Sequence, residues 1–228
     1  MVLPEPEFGT VQPWVYGVVM PLQRLLLSLY FRQIEIQGLE HLPMNGPVVL
    51  VPKHFSRWDP LVVALLSVEP FRFMTNANQF SGVQGWLLPR LGAFPVDLAR
   101  PKVSSFRTAI AILQAGHKLI IFPEGGIVRD RPVRALKPGF ARLVLQAEAA
   151  LSQAASQPVT IPIVPIALRY RPAAQARAAI TLRIAPPLSS AAFADLDDKQ
   201  QAIALTAAVQ TTLERELAAI GWEPLHQG

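Results

Sequence analysis

The stretch Lys-His-Phe-Ser-Arg-Trp-Asp-Pro, residues 53–60, sets His54 and Asp59 five positions apart, directly after the apolar run Gly-Pro-Val-Val-Leu-Val. An imidazole with a carboxylate on one ring nitrogen is a general base whose tautomer is fixed. Ser and Asp-Pro are also turn-formers, and a histidine between Phe and Trp can simply be packed, so the eight residues alone leave both readings open. Two further chemistries fit them less well. Ser56 as a covalent nucleophile would make a hydrolase, but the chain has no G-x-S-x-G elbow and Ser56 lies too close to His54 for the usual triad layout. A metal site would need a further ligand pair nearby. His41, His117 and His226 have no carboxylate at comparable spacing and read as loop or surface histidines. A second apolar run, Lys-Leu-Ile-Ile-Phe-Pro, ends in the polar turn Glu124-Gly125-Gly126.

Both runs have strand length and no alternation, as expected of parallel strands buried on two faces. Strands over IEIQG, PVVLV, FRFMTN, AFPV, KLIIFP, VTIPIVPIALRY and AAITLRIAPP alternate with helical patterns. Helices are predicted over LVVALLSV, QFSGVQGWLLPRLG (broken), VSSFRTAIAILQAG, GFARLVLQAEAALSQAA and Asp197 to Ile220, with Asp59 as an N-cap and Pro60 at a first helical position. This pattern predicts one α/β domain with a largely parallel sheet flanked by helices, spanning 33–228. Ligands of such sheets sit at the carboxyl ends of the strands, so His54 and Glu124 are expected to share a crevice. Pro162 and Pro165 predict a strand at an edge or a bulge.

The segment VQPWVYGVVMPLQRLLLSLYFR within 1–32 is the most membrane-like part of the chain. Its prolines, Gln12, Gln23 and Arg24 interrupt the apolar run of about 18 residues that a spanning helix needs. Two short apolar helices lying in one leaflet, or a helix packed on the domain, are expected there. Over the whole 228 residues, 51% are hydrophobic and 16% charged, with mean hydropathy +0.30. The absence of cysteine excludes thiol nucleophiles, disulfides and cysteine-based zinc sites. From Arg90 to Arg142 there are ten Lys or Arg against three acids, which suggests an anionic partner. No basic recognition helix or aromatic-interleaved basic motif is present, so nucleic acid is not expected.

The blocks GLEHLPMNGPVVLVPKHFSRWDPLVVA, LGAFPVD, LIIFPEGG and TIPIVPIAL occur in the order of the glycerolipid acyltransferase family, which the chain resembles from about Ile34 to Tyr170. The resemblance implies transfer of a fatty acyl chain from acyl-CoA or acyl carrier protein to the hydroxyl of 1-acylglycerol-3-phosphate in phospholipid biosynthesis. Another lysolipid or glycerol-3-phosphate is the alternative acceptor, and a non-catalytic lipid-binding protein the rival class. It implies His54 as general base, Asp59 as its orienter, and Glu124, Gly125 and Gly126 among the substrate-binding residues. No cofactor or metal is expected. The expected location is the cytoplasmic face of a membrane, monotopic or peripheral. The chain departs from the family in two places. The arginine expected after GAFPVD is Leu98, with Arg100 two positions on, and Glu-Gly-Thr-Arg is replaced by Glu-Gly-Gly-Ile. Those family residues help hold the acceptor's phosphate, so Arg100 or Arg129, with Lys102 and Arg131 nearby, are the expected substitutes.

Overall fold

The run Val48–Pro52 is a strand, β2, with all five residues buried, in the computed structural model, which describes residues 9–97 and 103–223. It is the centre of a seven-stranded sheet. The other strands are Gln33–Gln37 (β1), Arg72–Asn76 (β3), Ala93–Val96 (β4), Lys118–Ile120 (β5), Ile163–Arg171 (β6) and Ala179–Ile184 (β7), in the order β1-β7-β6-β2-β5-β3-β4. Every neighbouring pair is parallel except β6 and β7. Successive side chains of a strand point to opposite faces, and β2 divides accordingly. Val49 and Val51 join the core beneath the helices Val103–Gln114 (α4), Gly139–Ala155 (α5) and Asp198–Ala219 (α6). Val48 and Leu50 join the core beneath Pro13–Tyr30 (α1) and the short helix Asp59–Val63 (α2). A further helix, Gly82–Arg90 (α3), precedes β4. This is the single, mostly parallel α/β domain that the alternating pattern predicts.

Two expectations are corrected. The amino-terminal segment is one 18-residue helix, not two. Pro21 removes one backbone bond within it, but Val15, Met20 and Leu27 are buried against the domain, and that packing carries the helix through. Gln23 and Arg24, the polar interruptions, donate to the carbonyls of Leu61 (2.9 Å) and Ser67 (2.8 Å), tying α1 down. The opposite face exposes Trp14, Val18, Leu22, Leu25 and Leu29 at helical spacing. Among the described residues no helix is long and apolar enough to cross a membrane.

The second correction concerns Pro165, which lies in β6, an interior strand, so the edge reading fails and the bulge reading holds. Ile163 bridges Leu188 while Ile166 pairs with Ile184, so three steps along β6 face four along the partner. The missing N–H of Pro165 falls opposite that slip, where the ladder is already interrupted.

Candidate functional site

β2 runs out at Pro52, and the loop that follows folds back on itself around Asp59. The Asp59 carboxylate is wholly buried. Its Oδ2 accepts the backbone N–H of Phe55 (2.6 Å) and Ser56 (2.7 Å) and lies 2.9 Å from His54 Nδ1. Its Oδ1 accepts the Tyr170 hydroxyl at 2.7 Å. Asp59 therefore does not cap α2, as its position before Pro60 suggests; no side-chain cap bond forms, and the carboxylate points backward into the loop. A buried anion is stable only with donors around it, and the four here supply them.

The His54 ring is 18% exposed and tilts against Phe122, centroid to centroid 4.3 Å. With Nδ1 held by the carboxylate, Nε2 is the nitrogen left to meet a substrate proton. Chemically this is a base whose tautomer and orientation are fixed, able to assist a hydroxyl as it attacks a carbonyl.

His54 and Glu124 do meet, at the carboxyl ends of adjacent strands β2 and β5. Glu124 Oε2 accepts the His54 backbone N–H (2.8 Å), and Oε1 accepts the Arg134 N–H (2.9 Å). The Lys53 ammonium reaches Oε1 at 2.9 Å and also donates to the Val128 carbonyl at 2.9 Å. Lys53 and Glu124 are 0% and 1% exposed. Glu124, expected among the substrate-binding residues, is thus turned inward, because a carboxylate at this depth needs a countercharge. Burial pushes the Lys53 ammonium down from its usual range, and Glu124 counters part of that shift.

Gly125 has a φ of +68°, a turn conformation that favours glycine, while a side chain at Gly126 would meet nothing within 4 Å. The Lys137 ammonium lies over the turn, 3.5 Å from where a Gly125 Cβ would sit. Arg129 is exposed, and its Nε donates to the Phe55 carbonyl (3.1 Å), which sets it beside the His54 loop. Arg131 is paired with Asp130 at 2.7 Å. Leu98, Arg100, Lys102 and His226 lie outside the described residues.

Two members of this site carry no signal in the sequence reading. Lys53 looks like an ordinary polar residue ending a strand, and Tyr170 is 111 positions from its partner. Only the parallel register of β6 on β2, Ile166 beside Pro52, carries Tyr170 past the end of β2 to the His54 loop.

The fold is a mostly parallel α/β sheet that presents a carboxylate-held imidazole at its carboxyl edge. Comparison with known proteins narrows this further. The acyltransferase family model matches residues 33–169, more than half of the chain, and the chain belongs to that family. It is similar to the 1-acyl-sn-glycerol-3-phosphate acyltransferase of Bacillus subtilis, 26% identical over 187 residues that cover 79% of this chain and 86% of the other. It is also similar to a chloroplastic 1-acyl-sn-glycerol-3-phosphate acyltransferase of Arabidopsis thaliana, 31% identical over 119 residues. That match covers 50% of this chain but only 33% of the plant enzyme. In fold it is similar to the crystal structure of the 1-acyl-sn-glycerophosphate acyltransferase PlsC from Thermotoga maritima. The TM-score is 0.69 at 18% identity, over 92% of this chain and 80% of that one.

Proposed function

We propose that this protein transfers a fatty acyl chain from a thioester, acyl-CoA or acyl carrier protein, to the free hydroxyl of 1-acylglycerol-3-phosphate. The observation that carries the reading is the His54 imidazole, partly exposed and held through Nδ1 by the buried Asp59 carboxylate. In the proposed reaction Nε2 takes the acceptor's hydroxyl proton as its oxygen attacks the thioester carbonyl. The tetrahedral intermediate then collapses, the carbon–sulfur bond breaks, and the imidazolium returns the proton to the leaving thiolate. Lys53 and Glu124 act from behind, fixing the backbone on which His54 rides. Purified protein incubated with labelled acyl-CoA and acyl carrier protein and a panel of acceptors tests this. Ester formation on 1-acylglycerol-3-phosphate is expected, and no transfer to any acceptor would overturn the reading in favour of lipid binding alone.

The acceptor's phosphate is assigned to the Gly125–Gly126 turn with Arg129 and Lys137: a Gly126 Cβ would meet nothing within 4 Å, Lys137 lies over Gly125, and Arg129 is bonded to the loop that carries His54. Arg131 is a weaker candidate because Asp130 already holds it. Charge-assisted hydrogen bonds are worth roughly 1.5–3 kcal/mol, so Arg129→Ala should raise KM for the phosphate-bearing acceptor about tenfold or more. An uncharged lysolipid provides the control. Loosening of the loop would affect both acceptors equally, and that outcome would remove Arg129 from the phosphate site.

The membrane surface is assigned to the outward stripe of α1, joined through the Trp14–Trp86 contact (6.4 Å) to exposed Val83 and Trp86 on α3. An interfacial helix with one apolar face in the leaflet fits this stripe. Removing α1 is a poor test, since Leu27 and Phe31 belong to the core. Leu25→Glu with Leu29→Glu, both on the exposed face, is expected to lower vesicle binding by about tenfold or more, because each buried leucine is worth roughly 1.5–3 kcal/mol. Cosedimentation at high salt measures it, and unchanged binding would place the anchor elsewhere.

A further inference from the structure

We infer that Tyr170 is a positioning residue of the site: its hydroxyl holds the second oxygen of the Asp59 carboxylate, so that the first stays aligned on the His54 ring and its charge is shared between two partners. The inference rests on the reading of His54 as the base. Three donors converge on Oδ2, while Oδ1 accepts the Tyr170 hydroxyl at 2.7 Å. Asp59 is 0% exposed and Tyr170 4%, so bulk water does not reach this contact to take the hydroxyl's place. Without that bond the carboxylate is held at Oδ2 alone, and rocking about Cβ–Cγ would carry that oxygen off the imidazole.

The Tyr170 ring is itself held. It stacks on Phe55 (centroids 5.5 Å, planes 16° apart) and touches Phe31, the residue that ends α1, at 6.0 Å. Burial, reinforced by the Asp59 charge, pushes the phenol well above its usual range, so it stays protonated and donating. A hydrogen bond to Oδ1 draws negative charge away from the oxygen that faces the imidazole, so removing it would strengthen that oxygen's hold on the ring N–H. Tyr170 thereby tunes the base as well as orienting it. The other titratable groups about the pair are Lys53 just after β2, Glu124 after β5 and Arg129 on the following loop, with Tyr30 at the end of α1 against Trp58.

The test is Tyr170→Phe in the full chain, read by kinetics and by the NMR titration of His54, assigned by its loss in His54→Ala. The expected result is a fall in kcat of about tenfold with KM for both substrates within about twofold, and an acidic limb displaced to higher pH. His54 in the resting protein should titrate at correspondingly higher pH. Because that shift is read without turnover, it separates failure of this inference from failure of the acyl-transfer reading. In an Asp59→Asn background the effect of Tyr170→Phe on kcat should largely vanish. A fluorinated tyrosine at 170, a stronger donor of nearly the same shape, should move the limb and the titration the opposite way, and it serves if the phenylalanine variant does not fold. An unmoved His54 titration in either variant, or a lower melting temperature with an unmoved limb, would overturn the inference and leave Tyr170 a core residue.

Discussion

His54→Ala is expected to lower the rate of acyl transfer by at least about a hundredfold while the domain stays folded. A positioned base typically contributes roughly 10² to 10⁴ in rate, and among the described residues no other histidine is paired with a carboxylate. The fold survives because the ring is only partly enclosed and its removal takes one donor of four from Asp59. Asp59→Asn is a less clean experiment. The amide oxygen can still accept the Phe55 and Ser56 N–H groups with the nitrogen turned to the Tyr170 hydroxyl. The Tyr170 bond is then reversed as well as the charge lost, so two changes are read at once. Transfer rates with labelled thioester, alongside melting curves, measure the effect. A His54→Ala protein that transfers at the normal rate would remove the base from the mechanism.

Lys53→Met is expected to produce the largest loss of stability of any change near the site. It leaves the Glu124 carboxylate buried, with two backbone N–H groups and no countercharge. Breaking a buried pair by deleting one partner costs roughly 3–5 kcal/mol. For a domain of this size that is a fall in Tm on the order of 10 °C. Activity should fall too, since Glu124 also holds the His54 backbone N–H. Adding Glu124→Leu to Lys53→Met should restore part of the stability by removing the orphaned charge. It cannot restore all of it, because the N–H groups of His54 and Arg134 then lose their acceptor. Thermal melts of the single and double variants measure the difference. An unchanged Tm for Lys53→Met would mean that Glu124 is neutralised in some other way.

The contact of His54 with Asp59 was legible because it is local. His54 and Asp59 lie five positions apart, and a short loop suffices to join them. What the Asp59 side chain does was not legible: Asp before Pro reads as a helix cap, and only the folded loop shows the carboxylate facing back toward its own backbone donors. The strands were legible as apolar runs, but their order was not, since runs of valine and isoleucine do not name their neighbours. That order decides that Tyr170 reaches Asp59 and that Pro165 sits inside the sheet rather than at its edge. Lys53 stayed hidden for a related reason. A lysine after a strand is ordinarily solvated, and its burial depends on a glutamate 71 positions away. On α1, proline read as a break, and tertiary packing outweighed it.

The edge position of β1 sets an order of events during synthesis. β1 pairs only with β7, and the backbone at the end of α1 bonds to the residues just before β7, Arg32 to Ala178 and Arg177 to Tyr30. Roughly 150 residues separate the two, and at about 5–20 residues per second the ribosome needs on the order of ten seconds to cover them. Through that interval the first strand has no partner to zip to, and α1 leaves the exit tunnel without the finished core that will later bury Leu27 and Phe31. Closure of the domain is therefore among the last steps of its biogenesis. Until then the nascent chain carries a helix whose Val15, Met20 and Leu27 have no finished core to enter.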